Sequence, residues 1–178
     1  MKGVKNMALQ LSNYAIDKLI EDTASGNTYA FEQLYNATST AVFSYALSVL
    51  KNRFDAEDVL HDCFVRIYGS ADDYKAKGKP MAWILTITRN LCYKHLQQQS
   101  RYAALTDNYF NSGIMEDTDD KLIIKACMEK LSDEERQIVV LHAVAGMKHR
   151  EIAAFMDLPL STVLSKYRRT IQKIRSSL

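Results

Sequence analysis

Residues 148–178 read KHREIAAFMDLPLSTVLSKYRRTIQKIRSSL, and the pattern in this stretch decides the fold. Lys148 to Met156, with apolar Ile152, Ala153 and Phe155, predicts a short helix. Asp157-Leu158-Pro159-Leu160 reads as a turn, since Pro159 cannot continue the preceding helix. Ser161 is placed as the cap of a final helix. There Val163, Tyr167, Ile171, Ile174 and Leu178 recur at steps of three and four, which predicts one buried stripe. Ser161, Thr162, Ser165, Lys166, Arg168, Arg169 and Lys173 are left on the outer side. A short helix, a tight turn and a helix with a basic outer face is a helix-turn-helix pattern.

Upstream of it, Ser132-Asp133-Glu134-Glu135 is a capping box, with Ser132 as cap and Glu135 three residues on. The helix it starts carries Ile138, Val139, Leu141 and Val144 and ends near Gly146. Another helix is expected over Asp119 to Leu131. Ser100 to Thr118 is polar, aperiodic and punctuated by Asn108, Asn111, Ser112 and Gly113, so it reads as a linker. Before it come four helices. Ala15 to Thr23 stops at Ser25-Gly26-Asn27. Thr28 is placed as the cap of an amphipathic helix to about Lys51, on which Phe31, Leu34, Tyr35, Val42, Tyr45, Ala46, Val49 and Leu50 form the apolar face. After a break at Asn52-Arg53-Phe54, Asp55 is placed as the cap of a third helix to about Tyr68, with Asp58 completing a capping box. Gly69 to Lys79 reads as a loop, and Pro80 opens a fourth helix to about Gln99. Residues 1 to 13 are expected to be a frayed arm. No segment shows the alternation of a strand. The expected fold is all-α: two small helical domains, 13–100 and 119–178, joined by a flexible linker over 101–118.

Composition agrees. Of 178 residues only 6 are Gly and 2 are Pro, too little punctuation for many short strands. The chain is 47% hydrophobic and 25% charged, enough to pack a core. A net charge of +2 says little, but its distribution says more. Lys75, Lys77, Lys79, Arg89, Lys94 and Arg101 run without an intervening acid, and the last helix is also basic. Acidic residues gather at Asp55, Glu57, Asp58 and Asp62, at Asp72 and Asp73, and at Glu116, Asp117, Asp119 and Asp120. Two basic segments suggest two places for phosphate, and the acidic faces a different partner.

Several function classes are excluded. Cys63, Cys92 and Cys127 lack metal-ligand spacing and sit on apolar stripes, as small core residues do. His61, His95, His142 and His149 have no ligand partners at suitable spacing, and there is no phosphate loop or nucleophile elbow. The chain is therefore expected not to be an enzyme and to need no metal or cofactor. The N-terminus has no secretory hydrophobic region. The longest apolar run, Ile138 to Met147, is too short to cross a bilayer. A cytoplasmic location without membrane insertion is expected.

A helix in the major groove needs cations for phosphates and hydrogen-bonding tips for base edges. Lys166, Arg168, Arg169 and Lys173 supply the first, and Ser165 with an arginine the second. The fourth helix has a different logic. Ile84, Ile87, Thr88, Leu91, Cys92 and His95 point one way; Trp83, Thr86, Asn90, Lys94 and Gln97 point the other. An aromatic among Asn, Thr and Lys on a basic helix suits single-stranded DNA, where bases stack and phosphates are neutralised. The plain alternative is a Trp83 half-buried against a neighbouring helix. On the third helix, Ala56, Val59, Leu60, Cys63, Phe64, Ile67 and Tyr68 form the expected buried stripe. Glu57, Asp58, His61, Asp62 and Val65 lie opposite.

Residues 13–178 as a whole resemble the sigma-70 family of RNA polymerase sigma factors, in its extracytoplasmic-function (ECF) group. Phe31-Glu32-Gln33-Leu34-Tyr35 resembles the start of the family's first conserved region. Asp55-Ala56-Glu57-Asp58-Val59-Leu60-His61-Asp62-Cys63-Phe64-Val65-Arg66 resembles its polymerase-binding helix. Trp83-Ile84-Leu85-Thr86-Ile87-Thr88-Arg89-Asn90-Leu91 resembles the helix that reads the minus-ten promoter element. Leu131-Ser132 onward, through Glu151-Ile152-Ala153 and Ser161-Thr162-Val163, resembles the fourth-region domain that reads the minus-thirty-five element. The resemblance implies that Asp55, Glu57, Asp58, His61, Asp62 and Val65 bind core RNA polymerase, at the clamp helices of its largest subunit. A further contact with the polymerase flap is expected. Lys75, Lys77, Lys79, Trp83, Thr86, Arg89, Asn90 and Lys94 are implied at the minus-ten strand. Ser161, Thr162, Leu164, Ser165, Lys166, Arg168, Arg169 and Lys173 are implied at the minus-thirty-five duplex. An anti-sigma factor is the family's usual restraint. Two positions depart from the family pattern: Leu164 stands where a basic residue is frequent, and Lys94 where an acid or amide is common. The rival readings are a stand-alone helix-turn-helix regulator of duplex operators and a purely protein-binding helical module.

Overall fold

The computed structural model describes residues 11–105 and 130–176. Helix α1 spans Asn13–Ala24, α2 Thr28–Leu50, α3 Arg53–Ser70 and α4 Pro80–Leu105, with a 3-10 turn at Ala71–Asp73 before α4. Helix α5 spans Asp133–Ala143, α6 His149–Met156 and α7 Leu160–Arg175. Among the described residues all regular structure is helical, as expected. The arm up to residue 10, the linker from 106, its acidic residues, and the expected helix up to residue 129 lie outside the described residues.

Several helix ends differ from the expected ones, because a neighbouring group supplies the cap. The Asn27 side chain accepts the Ala30 N–H at 3.1 Å, so Thr28 is the first helical residue and not the cap. Asn52 likewise accepts the Asp55 N–H at 3.2 Å, so α3 starts at Arg53. Asp55 then lies in the first turn, where a carboxylate is favoured by the helix dipole. The break before α3 shrinks to Lys51 and Asn52, with Lys51 in the left-handed region at φ 58°. At α7 the Pro159 carbonyl accepts from Thr162 and Val163 N–H, so Ser161 is inside the first turn and does not cap it. The capping box of α5 forms as expected: Glu135 N–H donates to Ser132 Oγ at 3.3 Å, and Ser132 N–H to the Glu135 carboxylate at 3.0 Å. The loop expected over 69–79 shortens to 74–79. Helix α4 runs on past Gln99 to Leu105, since glutamines, Arg101 and alanines give no stop signal.

Among α1–α4, the side chains of Ile20, Leu34, Val42, Tyr45, Ile67, Ile84 and Leu85 are fully buried. Among α5–α7, Ile138, Leu141, Ile152 and Val163 are. Each such side chain contributes about 1.5–3 kcal/mol relative to exposure. The two sets join into one core. The junction is Tyr45 on α2, whose ring meets Phe155 on α6 edge-on at 5.6 Å. Arg89 on α4 donates to the Phe155 carbonyl, with its guanidinium 4.6 Å over the Phe155 ring. At the rim, Lys51 pairs with Asp133 at 2.8 Å, and Arg136 donates to the Ser48 carbonyl at 3.4 Å. The helix-turn-helix is therefore docked on the four-helix group.

Candidate protein and nucleic-acid interfaces

Helix α3 buries Ala56, Val59, Cys63, Phe64 and Ile67 and turns its other side to solvent. Of the expected acidic face, Asp55 and Glu57 are already engaged. Asp55 takes His95 Nε2 at 3.1 Å and Gln99 Nε2 at 2.8 Å, which ties α3 to α4. Glu57 takes the Arg53 guanidinium at 2.7 Å. Asp58, His61, Asp62 and Val65 are exposed, Val65 by 60%. Periodicity put Tyr68 on the buried stripe, but it is 52% exposed, its ring edge-on to Phe31. Phe54, read as part of a break, belongs to the helix and is also exposed. Phe54, Asp58, His61, Val65 and Tyr68 follow one another at steps of four, three, four and three. They form one seam with an aromatic at each end and Asp58, His61 and Val65 between, with Asp62 alongside. Such spacing matches the seam by which one helix packs along another. The signal that would have found Phe54 is the Asn52 cap, which moves the helix start back by three residues, from Ala56 to Arg53.

The second surface lies along α4 and the loop before it. Lys75, Lys77 and Lys79 are exposed. Gly78, at φ 68°, accepts a hydrogen bond on its carbonyl from Asn13 at 3.0 Å, which pins the loop to α1. A side chain at that backbone angle is disfavoured. Trp83 is half-buried. Its ring leans on Tyr74 at 4.7 Å, and the Tyr74 hydroxyl donates to the buried Asp17. The half-burial expected by the plain alternative is present, but the partner is Tyr74 in the loop before α4 and not a neighbouring helix. Thr86 spends its hydroxyl on the Ala82 carbonyl at 2.7 Å, while Asn90 and Lys94 are exposed. Arg89 does not share their direction; it turns to Phe155.

The third surface is α7. Its buried side is Val163 and Thr170, with Tyr167, Ile171 and Ile174 partly covered. Thr170, absent from the expected stripe, closes the gap in it and donates to the Lys166 carbonyl at 2.8 Å. Leu178 lies outside the described residues. Ser161, Leu164, Ser165, Arg168 and Arg169 are exposed, and Thr162 is half-buried. Lys166 and Lys173 lie on the flank towards α5. Lys166 pairs with Glu134 at 2.9 Å and Lys173 with Glu135 at 2.7 Å. The Lys173 ammonium holds the Glu135 carboxyl below its usual range, helped by the Ser132 N–H. Behind α7 the rings of His142 and His149 stack at 4.2 Å beside Tyr167. Burial, and then His142, keeps the His149 imidazole below its ordinary pKa.

Cys63 and Cys92 are buried, and burial pushes their thiols up to about 11 and about 12. They are neutral core groups at pH 7, as their stripe positions predict. Cys127 lies outside the described residues. Among the described residues no cluster of His, Cys, Asp and Glu is arranged to hold a metal ion. None of the described helices is long and apolar enough to cross a membrane.

Residues 34–102 match the family described as Sigma-70 region 2, and residues 121–174 match Sigma-70, region 4. The chain is 25% identical over 174 residues to the ECF RNA polymerase sigma factor SigK of Mycobacterium ulcerans (strain Agy99), covering 92% of this chain and 93% of that one. It is 27% identical over 176 residues to SigK of Mycobacterium sp. (strain KMS), covering 92% and 90%. Among solved structures, CnrH in complex with the cytosolic domain of CnrY is similar with a TM-score of 0.65 and 25% identity, over 91% of this chain and 96% of that one. The sigma factor RpoE of Bartonella quintana, in complex with the anti-sigma factor NepR, shares the fold with a TM-score of 0.69 and 21% identity, over 83% and 95%. With both regions in the order in which the acidic helix, the tryptophan helix and the helix-turn-helix occur, the chain belongs to the sigma-70 family, as an ECF-type RNA polymerase sigma factor.

Proposed function

We propose that this sigma factor carries out initiation through three separate surfaces, with region 2 over 13–100, a linker over 101–118 and region 4 over 119–178. The α3 seam of Asp58, His61, Val65 and Tyr68, flanked by Asp62, docks along the clamp helices of core polymerase. Region 4 is assigned the flap contact. The Lys75 to Lys79 loop, Trp83, Asn90 and Lys94 hold the opened minus-ten strand. The outward residues of α7 enter the major groove of the minus-thirty-five duplex. Melting needs no covalent step by this chain: flipped bases are trapped by stacking and hydrogen bonds, at about a few kcal/mol per unstacked step. We therefore assign it no catalysis of its own.

The observation that carries this reading is the charge separation of exposed faces on one family fold. The α3 seam is acidic and apolar, which suits a protein helix and repels phosphate. The loop before α4 and the outer side of α7 are basic, which suits DNA. Arg89 reaches DNA only when its contact with Phe155 opens, so promoter binding goes with separation of the two regions. Because RpoE binds the anti-sigma factor NepR and CnrH the cytosolic domain of CnrY, we extend a protein restraint of that kind to this chain.

Transcription in vitro with bacterial core polymerase and mixed promoter DNA tests the reading. Defined new start sites that vanish with Asp58→Lys are expected. Tight duplex binding by the chain alone, with no start sites, would instead favour the stand-alone operator-binding regulator.

A further inference from the structure

On α7 the side opposite Val163 and Thr170 consists of Ser161, Leu164, Ser165, Arg168 and Gln172, and all five are exposed. Four of these are polar. Leu164 is 46% exposed and is the one large apolar side chain standing free on this helix among the described residues. It lies three residues from Ser161 and four from Arg168, hence beside both on the helix surface. It also lies in the first half of α7, the half that meets base edges when such a helix enters the major groove.

The polar neighbours narrow what this position can do. Ser165 donates its hydroxyl to the Thr162 carbonyl of its own helix at 3.0 Å, so that donor is already used. Arg168 remains for phosphate or a guanine edge. Leu164 can neither donate nor accept. Placed over the polar edge of guanine, cytosine or adenine, it would strip water from groups it cannot satisfy. The major groove has one apolar feature, the C5-methyl of thymine. There the leucine loses nothing polar and buries its exposed surface.

The geometry points to Leu164 as a specificity-determining residue that recognises a thymine methyl in the minus-thirty-five element, next to the base or phosphate taken by Arg168. This rests on the proposed entry of α7 into that duplex. It makes promoter choice depend on one hydrocarbon contact at a position that a basic side chain would use for charge.

Deoxyuridine isolates the contact, because it keeps the pairing and polar edge of thymine and removes only the methyl. Holoenzyme formed from the full chain and core polymerase would be titrated onto a promoter found by start-site mapping. Each thymine of the minus-thirty-five element would be replaced by deoxyuridine in turn. Affinity should fall about fourfold at one position or two adjacent ones, the size expected for one buried methyl group. With Leu164→Ala the same positions should no longer distinguish thymine from deoxyuridine. The inference is overturned if no position responds, if the element contains no thymine, or if the response persists unchanged in Leu164→Ala. Holoenzyme whose binding ignores scrambling of the whole minus-thirty-five element would overturn the parent reading too. Scrambling sensitivity without deoxyuridine sensitivity would remove only the role of Leu164. Leu164→Ala should keep its thermal unfolding midpoint, since the side chain is outside the core.

Discussion

Helices α3 and α7 each bury one side and present the other to solvent, yet the presented sides are made in different ways. On α3 the charges at the helix start are consumed internally: Asp55 by His95 and Gln99, Glu57 by Arg53. What remains is a seam in which polar Asp58 and His61 are followed by apolar Val65 and Tyr68. On α7 the consumption is at the flank: Glu134 and Glu135 of α5 hold Lys166 and Lys173. Arg168 and Arg169 then stand exposed on the outer side. The guanidinium of Arg169 also leans back on the Ser165 carbonyl at 3.3 Å. A helical wheel counts charges; the neighbouring helix decides which of them a partner can reach. A seam of mixed apolar and acidic groups suits packing against another helix. A forward pair of arginines, with a rigid planar donor each, suits a groove edge lined by phosphates.

The contrast can be broken most sharply within α3 itself. Ile67→Ala, on its buried side, should destabilise the chain by about 2–5 kcal/mol in urea unfolding. Asp58→Lys, on the seam, should leave stability within about 0.5 kcal/mol and weaken core polymerase binding by about 2–5 kcal/mol. If Asp58→Lys unfolds the chain as Ile67→Ala does, α3 has no spare face. On α7, Arg168→Ala should weaken promoter binding by about 1–3 kcal/mol and reduce the salt dependence by about one ion. Lys166→Ala should do less, because its ammonium is shared with Glu134. Equal effects in titrations at several salt concentrations would show that the flank lysines are as available as the arginines.

The smallest effect concerns pH. The folded state depresses the Glu135 pKa, so its contribution to stability is complete above the unfolded value, about 4.3 for a glutamate. It is lost as the pH falls through the folded value. The depressed His149 has the same sign, beginning near the ordinary histidine value of about 6.5. Thermal unfolding followed from pH 7 downward should therefore show region 4 loosening in two steps. Lys173→Met should remove most of the lower step.

Much of this was legible in the chain. The three- and four-residue steps of α7 and the Ser132 to Glu135 box give the helices of the helix-turn-helix pattern. The order of the acidic helix, the tryptophan helix and the turn before α7 identifies the family. What was not legible depends on partners distant in sequence. The direction of Arg89 is set by Phe155, 66 residues away. Lys166 and Lys173 look free until the glutamates of α5 are placed beside them. Phe54 was missed because Asn52, and not Asp55, caps α3, and Tyr68 was misplaced because it borders the buried Phe64 and Ile67 while its ring only edges Phe31 and stays half in solvent. The sequence leaves open whether Trp83 packs, because Tyr74, inside an aperiodic stretch, gives no sign that it covers one side of the ring.

The Arg89 contact has a consequence in terms of mass action. A carbonyl and a ring on the same chain act on this guanidinium as a tethered ligand, so the contact is intramolecular and does not weaken on dilution. Anything else that seeks Arg89 must outcompete them. If about one molecule in a hundred stands open, a ligand that needs the open form binds about a hundredfold more weakly than its intrinsic affinity. Whatever holds the regions apart restores that factor without touching the guanidinium itself.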